Sequence, residues 1–316
     1  MTKLILTLVL LTSLFGAKIE LPFVQLQSCG GVVDLVLHDD KLYSATNAGC
    51  VYIFDMKTKD SIGKIEVDKI TNFLGDVIDS KVYSVDVIKD KVLLLSQAEQ
   101  GFRRVHIHMP DTMELIIPYT KKLYIAKAKF LDENTILLAL LGNELISYDI
   151  KNKRENWKIQ ISQSKFSNFA LNETKTQVIV ADESGNLKLY NTVDGSLVRT
   201  FSERNLDNVF QVDYKNGVIA TAGQDRKVVV YNAVSGESYF KTATFLIYSV
   251  GISPSAKYVG YSSDENNNIA VFDTKSKSEI GIFGGNKMTL SNILFINENE
   301  FLVSSDDSKI NMYKIK

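Results

Sequence analysis

The chain has 316 residues but only two cysteines, three histidines and one tryptophan, so most of the reactive inventory of an enzyme is missing. Covalent haem attachment needs Cys-x-x-Cys-His. Cys29 and Cys50 stand 21 positions apart, and no histidine directly follows either. That excludes a thioether-bound haem, and two thiols are too few for a thiolate zinc or iron–sulfur centre. An excess of charge of one sign is missing too. The 36 Lys and Arg balance 37 Asp and Glu for a net charge of -1, with no basic stripe. This removes the phosphate neutralisation on which nucleic-acid binding rests. No apolar run reaches the ~20 residues of a comfortable membrane span. Gly30-Gly31 and Gly284-Gly285 are isolated pairs outside any strand–turn–helix unit, so they read as turn glycines rather than a nucleotide cradle.

What the chain does have is repetition. A short apolar strand ends in an aromatic residue followed by Asp or Asn. It reads Val-Tyr-Ile-Phe-Asp to Asp55, Leu-Ile-Ser-Tyr-Asp to Asp149, Leu-Lys-Leu-Tyr-Asn to Asn191, Val-Val-Val-Tyr-Asn to Asn232 and Ile-Ala-Val-Phe-Asp to Asp273. A last copy, Ile-Asn-Met-Tyr-Lys, ends at Lys314, and the steps from Asp149 onward are 42, 41, 41 and 41 residues. A period of ~40–45 residues is that of a four-stranded propeller blade. Alternation and turn residues cut each repeat into strands a to d. In the fifth, strand a is Val209 to Tyr214, b Val218 to Ala222, c Lys227 to Tyr231 and d Glu237 to Thr242, with Asn-Gly and Ser-Gly tips at the hairpins. The other repeats run over 32–67, 82–117, 125–161, 166–202 and 247–284. The second has its third strand displaced to His106-Ile107-His108, after an insertion over 69–81.

The seventh repeat supplies only strands a, b and c before the chain stops, while Ile19 to Gln27 is an extended segment belonging to no repeat. The expectation is an all-β, seven-bladed propeller of four-stranded antiparallel blades, its ring closed by that N-terminal segment as the missing strand of the last blade. Residues 1–17 read as a signal peptide: Lys3, an apolar run from Leu4 to Phe15, then the small pair Gly16-Ala17. The single domain is then 18–316, exported and periplasmic, with no stable membrane insertion. No cysteine directly follows the apolar run to accept a lipid.

Two side-chain groups stand out. Cys29 precedes strand a of the first blade and Cys50 opens its strand c, so both fall on one rim beside the closure. A bond between them would pin the N-terminal strand and, by closing a loop of ~20 residues, stabilise by ~3 kcal/mol. Two free buried thiols are the other reading that spacing leaves open. His106 and His108 share one face of a strand and could together hold Cu(II), Zn(II) or Ni(II). No third ligand is visible in the sequence, and a plain blade edge beside Arg103 and Arg104 is the default. No catalytic or cofactor-binding residue emerges. The acidic Glu99, Asp132-Glu133 and Asp306-Asp307 lie in turns.

The stretches Ala222-Gly223-Gln224-Asp225-Arg226-Lys227-Val228-Val229-Val230-Tyr231-Asn232 and Ala181-Asp182-Glu183-Ser184-Gly185-Asn186-Leu187-Lys188-Leu189-Tyr190-Asn191 resemble WD-repeat β-propellers, and Ser262-Ser263-Asp264 and Ser304-Ser305-Asp306-Asp307 repeat the turn Asp. The resemblance implies a turn Asp that knits each blade. Every Trp of the dipeptide is Phe or Tyr and the Gly-His pair is absent, so the family's full hydrogen-bonded tetrad is expected to be missing. An exported, degenerate propeller of this length is similar, more narrowly, to the propeller-type L accessory proteins of periplasmic nitrate reductase. That resemblance implies a non-catalytic, monomeric scaffold without cofactor, whose protein partner is a nitrate-reductase component or maturation factor. The turns Phe73-Leu74-Gly75, Tyr119 to Lys122 and Phe240 to Phe245 are the candidate contacts. The alternatives are a quinoprotein-like enzyme, opposed by the single Trp where such proteins carry a Trp-rich motif per blade, and an envelope-assembly scaffold.

Overall fold

The computed structural model describes residues 18–316. The signal-peptide assignment for 1–17 lies outside the described residues. No helix among the described residues is long and apolar enough to cross a membrane.

Seven four-stranded antiparallel blades succeed one another along the chain. Strands a to d of blade 1 are Val32–His38, Lys41–Thr46, Cys50–Asp55 and Ser61–Glu66; those of blade 2 are Val82–Ile88, Lys91–Gln97, Arg103–Met109 and Thr112–Ile117. Blade 3 comprises Ile125–Phe130, Thr135–Leu140, Glu144–Asp149 and Arg154–Gln160, and blade 4 Phe166–Leu171, Gln177–Asp182, Leu187–Asn191 and Leu197–Phe201. Blade 5 follows as Val209–Lys215, Val218–Gly223, Lys227–Asn232 and Ser238–Thr242, and blade 6 as Val250–Ile252, Tyr258–Ser262, Ile269–Asp273 and Glu279–Phe283. Blade 7 takes Leu290–Phe295, Glu300–Ser305 and Lys309–Lys314 from the C-terminus and Val24–Gln27 from the N-terminus.

The recurring phrase is strand c, and each half of it has a separate task. The closing Asp or Asn caps the c–d turn. Asp55 Oδ1 accepts the backbone N–H of Lys57 and Thr58 at 2.7 and 3.1 Å, Asn232 Oδ1 those of Val234 and Ser235 at 2.9 and 2.8 Å, and Asp273 Oδ1 those of Lys275 and Ser276 at 3.0 and 2.8 Å. These donors hold the Asp55 and Asp273 carboxyls below their ordinary range. The aromatic residue before it wedges into the preceding blade. Phe54, Tyr148, Tyr190, Tyr231, Phe272 and Tyr313 are all buried, each in the apolar cluster shared with the blade before its own. A blade cannot bury both faces alone, and this shared side chain is what stacking supplies.

The N-terminal segment closes the ring, but not as one strand. Ile19–Glu20 lies parallel to Glu279–Phe283 as a fifth strand on blade 6, and only Val24–Gln27 pairs antiparallel with Lys309–Lys314. The break falls at Pro22, which has no N–H to give to a ladder. Glu20 meanwhile accepts the Gly284 N–H at the end of blade 6 at 2.9 Å and Lys316 Nζ, just past the third strand of blade 7, at 2.8 Å. Cys29 and Cys50 form a disulfide, with Cα atoms 6.8 Å apart. The same segment therefore fastens blades 6, 7 and 1. Replacing both cysteines by serine is expected to lower stability by about 3 kcal/mol. The urea midpoint of the double variant against the oxidised parent measures this, and equal midpoints would contradict a structural role for the bond.

Candidate docking face and central channel

The two ends of the ring differ in what they expose. On one end emerge the b–c turns and the links from each strand d to the next strand a; on the other, the a–b and c–d turns. Of the large hydrophobic residues left exposed, Phe73, Leu74, Val77, Tyr119, Tyr124, Leu206, Phe245 and Met288 all belong to the links. Only Val193 and Val234 lie in c–d turns, and none lies in an a–b turn. The remainder line the outer strands and the N-terminal strap. Phe240 is one of these, set in strand d of blade 5 rather than in the turn that follows.

The most prominent projection is the insertion between blades 1 and 2. It is a small hairpin, Ile70–Thr71 against Val77–Ile78. Asn72 shapes its tip: Oδ1 accepts the N–H of Leu74 and of Asp76, both at 2.9 Å, and Gly75 takes φ +90°. Phe73 is thereby held 95% exposed and Leu74 72% exposed on an ordered turn. The base is anchored by buried Ile70, by the Lys69–Asp79 ion pair at 2.9 Å and by the Arg104 guanidinium, which donates to the Asp68 carbonyl. Next to it, Tyr83 lies under the Arg103 guanidinium at 3.9 Å, and Phe102 packs on Tyr124 at 4.9 Å. Across the ring Phe210 stacks on Tyr248 at 5.3 Å. The disulfide sits on this same link face.

The histidine pair has a structural explanation. His108 pairs with Val92 just as Phe54 pairs with Leu42. It therefore stands where the other blades put their wedging aromatic, which is why blade 2 interrupts the phrase. His106, 8% exposed, points to the same side with Nδ1 buried and without a hydrogen-bond partner. Among the described residues no three His, Cys, Asp or Glu gather as a cation site.

Inner strands line the central channel, and their side chains stitch neighbouring blades together at five of the seven interfaces. Asp34 Oδ2 accepts the Val85 N–H at 3.0 Å, Asp86 Oδ2 the Phe130 N–H at 2.7 Å and Asp213 Oδ2 the Ile252 N–H at 2.9 Å. Lys127 Nζ donates to Asn168 Oδ1 at 3.0 Å and the Phe169 carbonyl at 2.8 Å, and Asn292 Nδ2 to the Val33 carbonyl at 3.2 Å. These bonds use polar groups that an inner edge strand would otherwise leave open. Asp34, Lys127, Asn168, Gln211 and Asn292 line both a cavity of about 110 Å³ toward the link face and one of about 440 Å³ toward the opposite face, so they form the constriction between the two. Burial, with the neighbouring Lys129 charge, lowers Lys127 to about 8.

The turn Asp of the repeat also acquires a role. In blade 5 Asp225 accepts from Asn205 Nδ2 at 3.2 Å, Asn205 Oδ1 accepts from Thr221 Oγ1 at 2.9 Å, and Thr221 Oγ1 accepts the Val229 N–H at 3.1 Å. The full tetrad with Trp is absent there, and an Asn-based network knits the blade instead.

No protein-family profile matches the chain, and no curated protein matches it in sequence. Solved structures match its shape: 1877 chains do so, among them a chain of the crystal structure of a mitotic checkpoint complex. That chain superposes with a TM-score of 0.77 at 13% identity, over 100% of this chain and 98% of its own length. The likeness shows the fold, a seven-bladed propeller compatible with the WD-repeat type.

Burial, and next the Arg104 charge, lowers His106 to about 4 against 6.5 for a free side chain. As pH falls from 6.5 toward 4, the unfolded chain takes up this proton and the folded chain does not, so stability falls with pH across that window. The expected loss between pH 7 and 5 is about 2 kcal/mol. Urea midpoints at the two pH values should show it in the parent and much less of it in His106→Leu; an unchanged pH dependence in the variant would refute the assignment.

Proposed function

We propose that this chain is an exported, non-catalytic and monomeric scaffold that docks a protein partner on its link face. The observation that carries the reading is the segregation of exposed apolar side chains. Eight lie on the links and two on the turns of the other face. The Phe73-Leu74 tip has the character of a binding hot spot, a large apolar side chain on an ordered support. A neighbour of the same shape comes from a multi-protein complex. The Cys29–Cys50 bond suits an oxidising compartment and supports export.

The partner we infer is a component or maturation factor of a periplasmic nitrate reductase. This rests on the resemblance of the degenerate repeats and leader to the L accessory proteins. The test is affinity capture from native periplasm with the tagged mature chain. The parent should recover a nitrate-reductase subunit or maturation factor. Phe73→Ser/Leu74→Ser should cut recovery by tenfold or more, in line with the ~2 kcal/mol of a hot spot, while Val193→Ser/Val234→Ser should not. Capture of no nitrate-reductase component overturns the partner, and undiminished capture by the Phe73→Ser/Leu74→Ser variant overturns the face.

A further inference from the structure

The cavity of about 440 Å³ opens on the face opposite the proposed docking surface, and its wall is divided in two. Blades 6, 7 and 1 contribute apolar side chains, with Ile252, Pro254, Leu294, Leu35 and Leu37 prominent among them. Blades 3, 4 and 5 contribute the ammonium groups of Lys127, Lys129, Lys175 and Lys215, set among Phe169, Leu171 and Val212. The carboxylates that share this wall are engaged elsewhere. Asp213 spends both oxygens on the Tyr214 and Ile252 N–H groups, at 2.8 and 2.9 Å. Asp34 accepts from the Leu35 and Val85 N–H groups and from Lys129 Nζ at 2.8 Å. Asp86 accepts the Phe130 N–H, with Lys175 Nζ at 3.5 Å, and Glu173 accepts the Asn216 N–H at 2.6 Å.

Lys127 differs from Lys129 and Lys175, because its partners are the neutral oxygens of Asn168 and Phe169. An ammonium has three donors, and these bonds use two. No third acceptor is found for it among the described residues, and the ammonium stands at the constriction that floors the cavity, 5.1 Å from the centre of the Phe169 ring. A site with an apolar side, a cationic side and, at its floor, a cation lacking a counter-charge among the described residues is complementary to an amphiphilic anion. A single-headed group fits that floor better than a dianion, because Lys129 and Lys175 already face Asp34 and Asp86 and Lys215 stands at the far end of its strand, at the mouth. The volume lies within the ~300–1,000 Å³ typical of small-molecule sites.

We propose that this cavity binds a small aliphatic monocarboxylate, its carboxylate on Lys127 and its chain on Leu35, Ile252 and Leu294. The site is independent of the docking face and of the identity of the protein partner. Bound anion would favour the protonated ammonium, so affinity declines as pH rises through the region where Lys127 titrates. The charges facing that group are Lys129 of its own strand and Asp34, Asp86 and Asp213 of blades 1, 2 and 5.

Isothermal titration calorimetry of the mature chain with sodium octanoate tests the site, with octanol, acetate and octylamine as controls. Octanoate should bind, at least tenfold more tightly than acetate or octanol, and about tenfold less tightly at pH 9 than at pH 7. Lys127→Met should abolish binding. Ala170→Leu, which adds bulk at a lining residue that also packs on the core between blades 4 and 5, should also abolish it in protein that still shows a cooperative urea transition. Octanol binding as well as octanoate, or octanoate binding unchanged in Ala170→Leu, would overturn the proposal. So would binding of a peptide ending in Leu with a free carboxylate where octanoate does not bind, because the cavity would then serve a chain terminus.

Discussion

A ring of blades is stable only if it closes, and here closure is made by twelve or so residues at the start of the domain. Each interface between blades is buried because both neighbours are present. Opening one would expose an apolar face and an unpaired edge at once. The segment from Ile19 to Cys29 meets this constraint three times, by a parallel pairing on blade 6, an antiparallel strand in blade 7 and a covalent bond to blade 1. The C-terminal strand is held by the same residues, since Lys309–Lys314 lies between Val24–Gln27 and Glu300–Ser305.

Everything inside the ring follows from that closure. Wedging aromatics fill six of the interfaces, and at the seventh His108 takes the position. At the axis, carboxylates, an amide and Lys127 make hydrogen bonds between neighbouring inner strands, and Asn292 makes the one that joins blade 7 to blade 1. The channel is pinched where these side chains meet. The two ends of the molecule are left free to diverge, one carrying links with exposed aromatic and aliphatic side chains, the other short polar turns around a cavity.

Much of this was legible in the residues. The period named the architecture because strand c carries two independent signals, an apolar alternation and a turn-capping Asp or Asn. The disulfide followed from placing two cysteines on a common rim. The split of the N-terminal strap was less visible, although Pro22 marks it. The blade-edge reading of the His pair left its position unexplained, because sequence alone does not show that His108 stands in register with Phe54 and Tyr148. The asymmetry of the channel wall was hidden altogether. It is assembled from strands up to 260 positions apart, and its residues, Asp34, Lys127 and Asn292 among them, share only a register position next to a bulge.

Amide hydrogen exchange on the protein, with the Cys29–Cys50 bond intact and then reduced, tests closure most directly. If the strap is what keeps the ring shut, reduction should speed exchange first in Val24–Gln27 and Lys309–Lys314, with the inner strands of blades 3 and 4 still protected. Exchange that remains equally slow in both segments after reduction, or that rises together in every blade, would contradict the account.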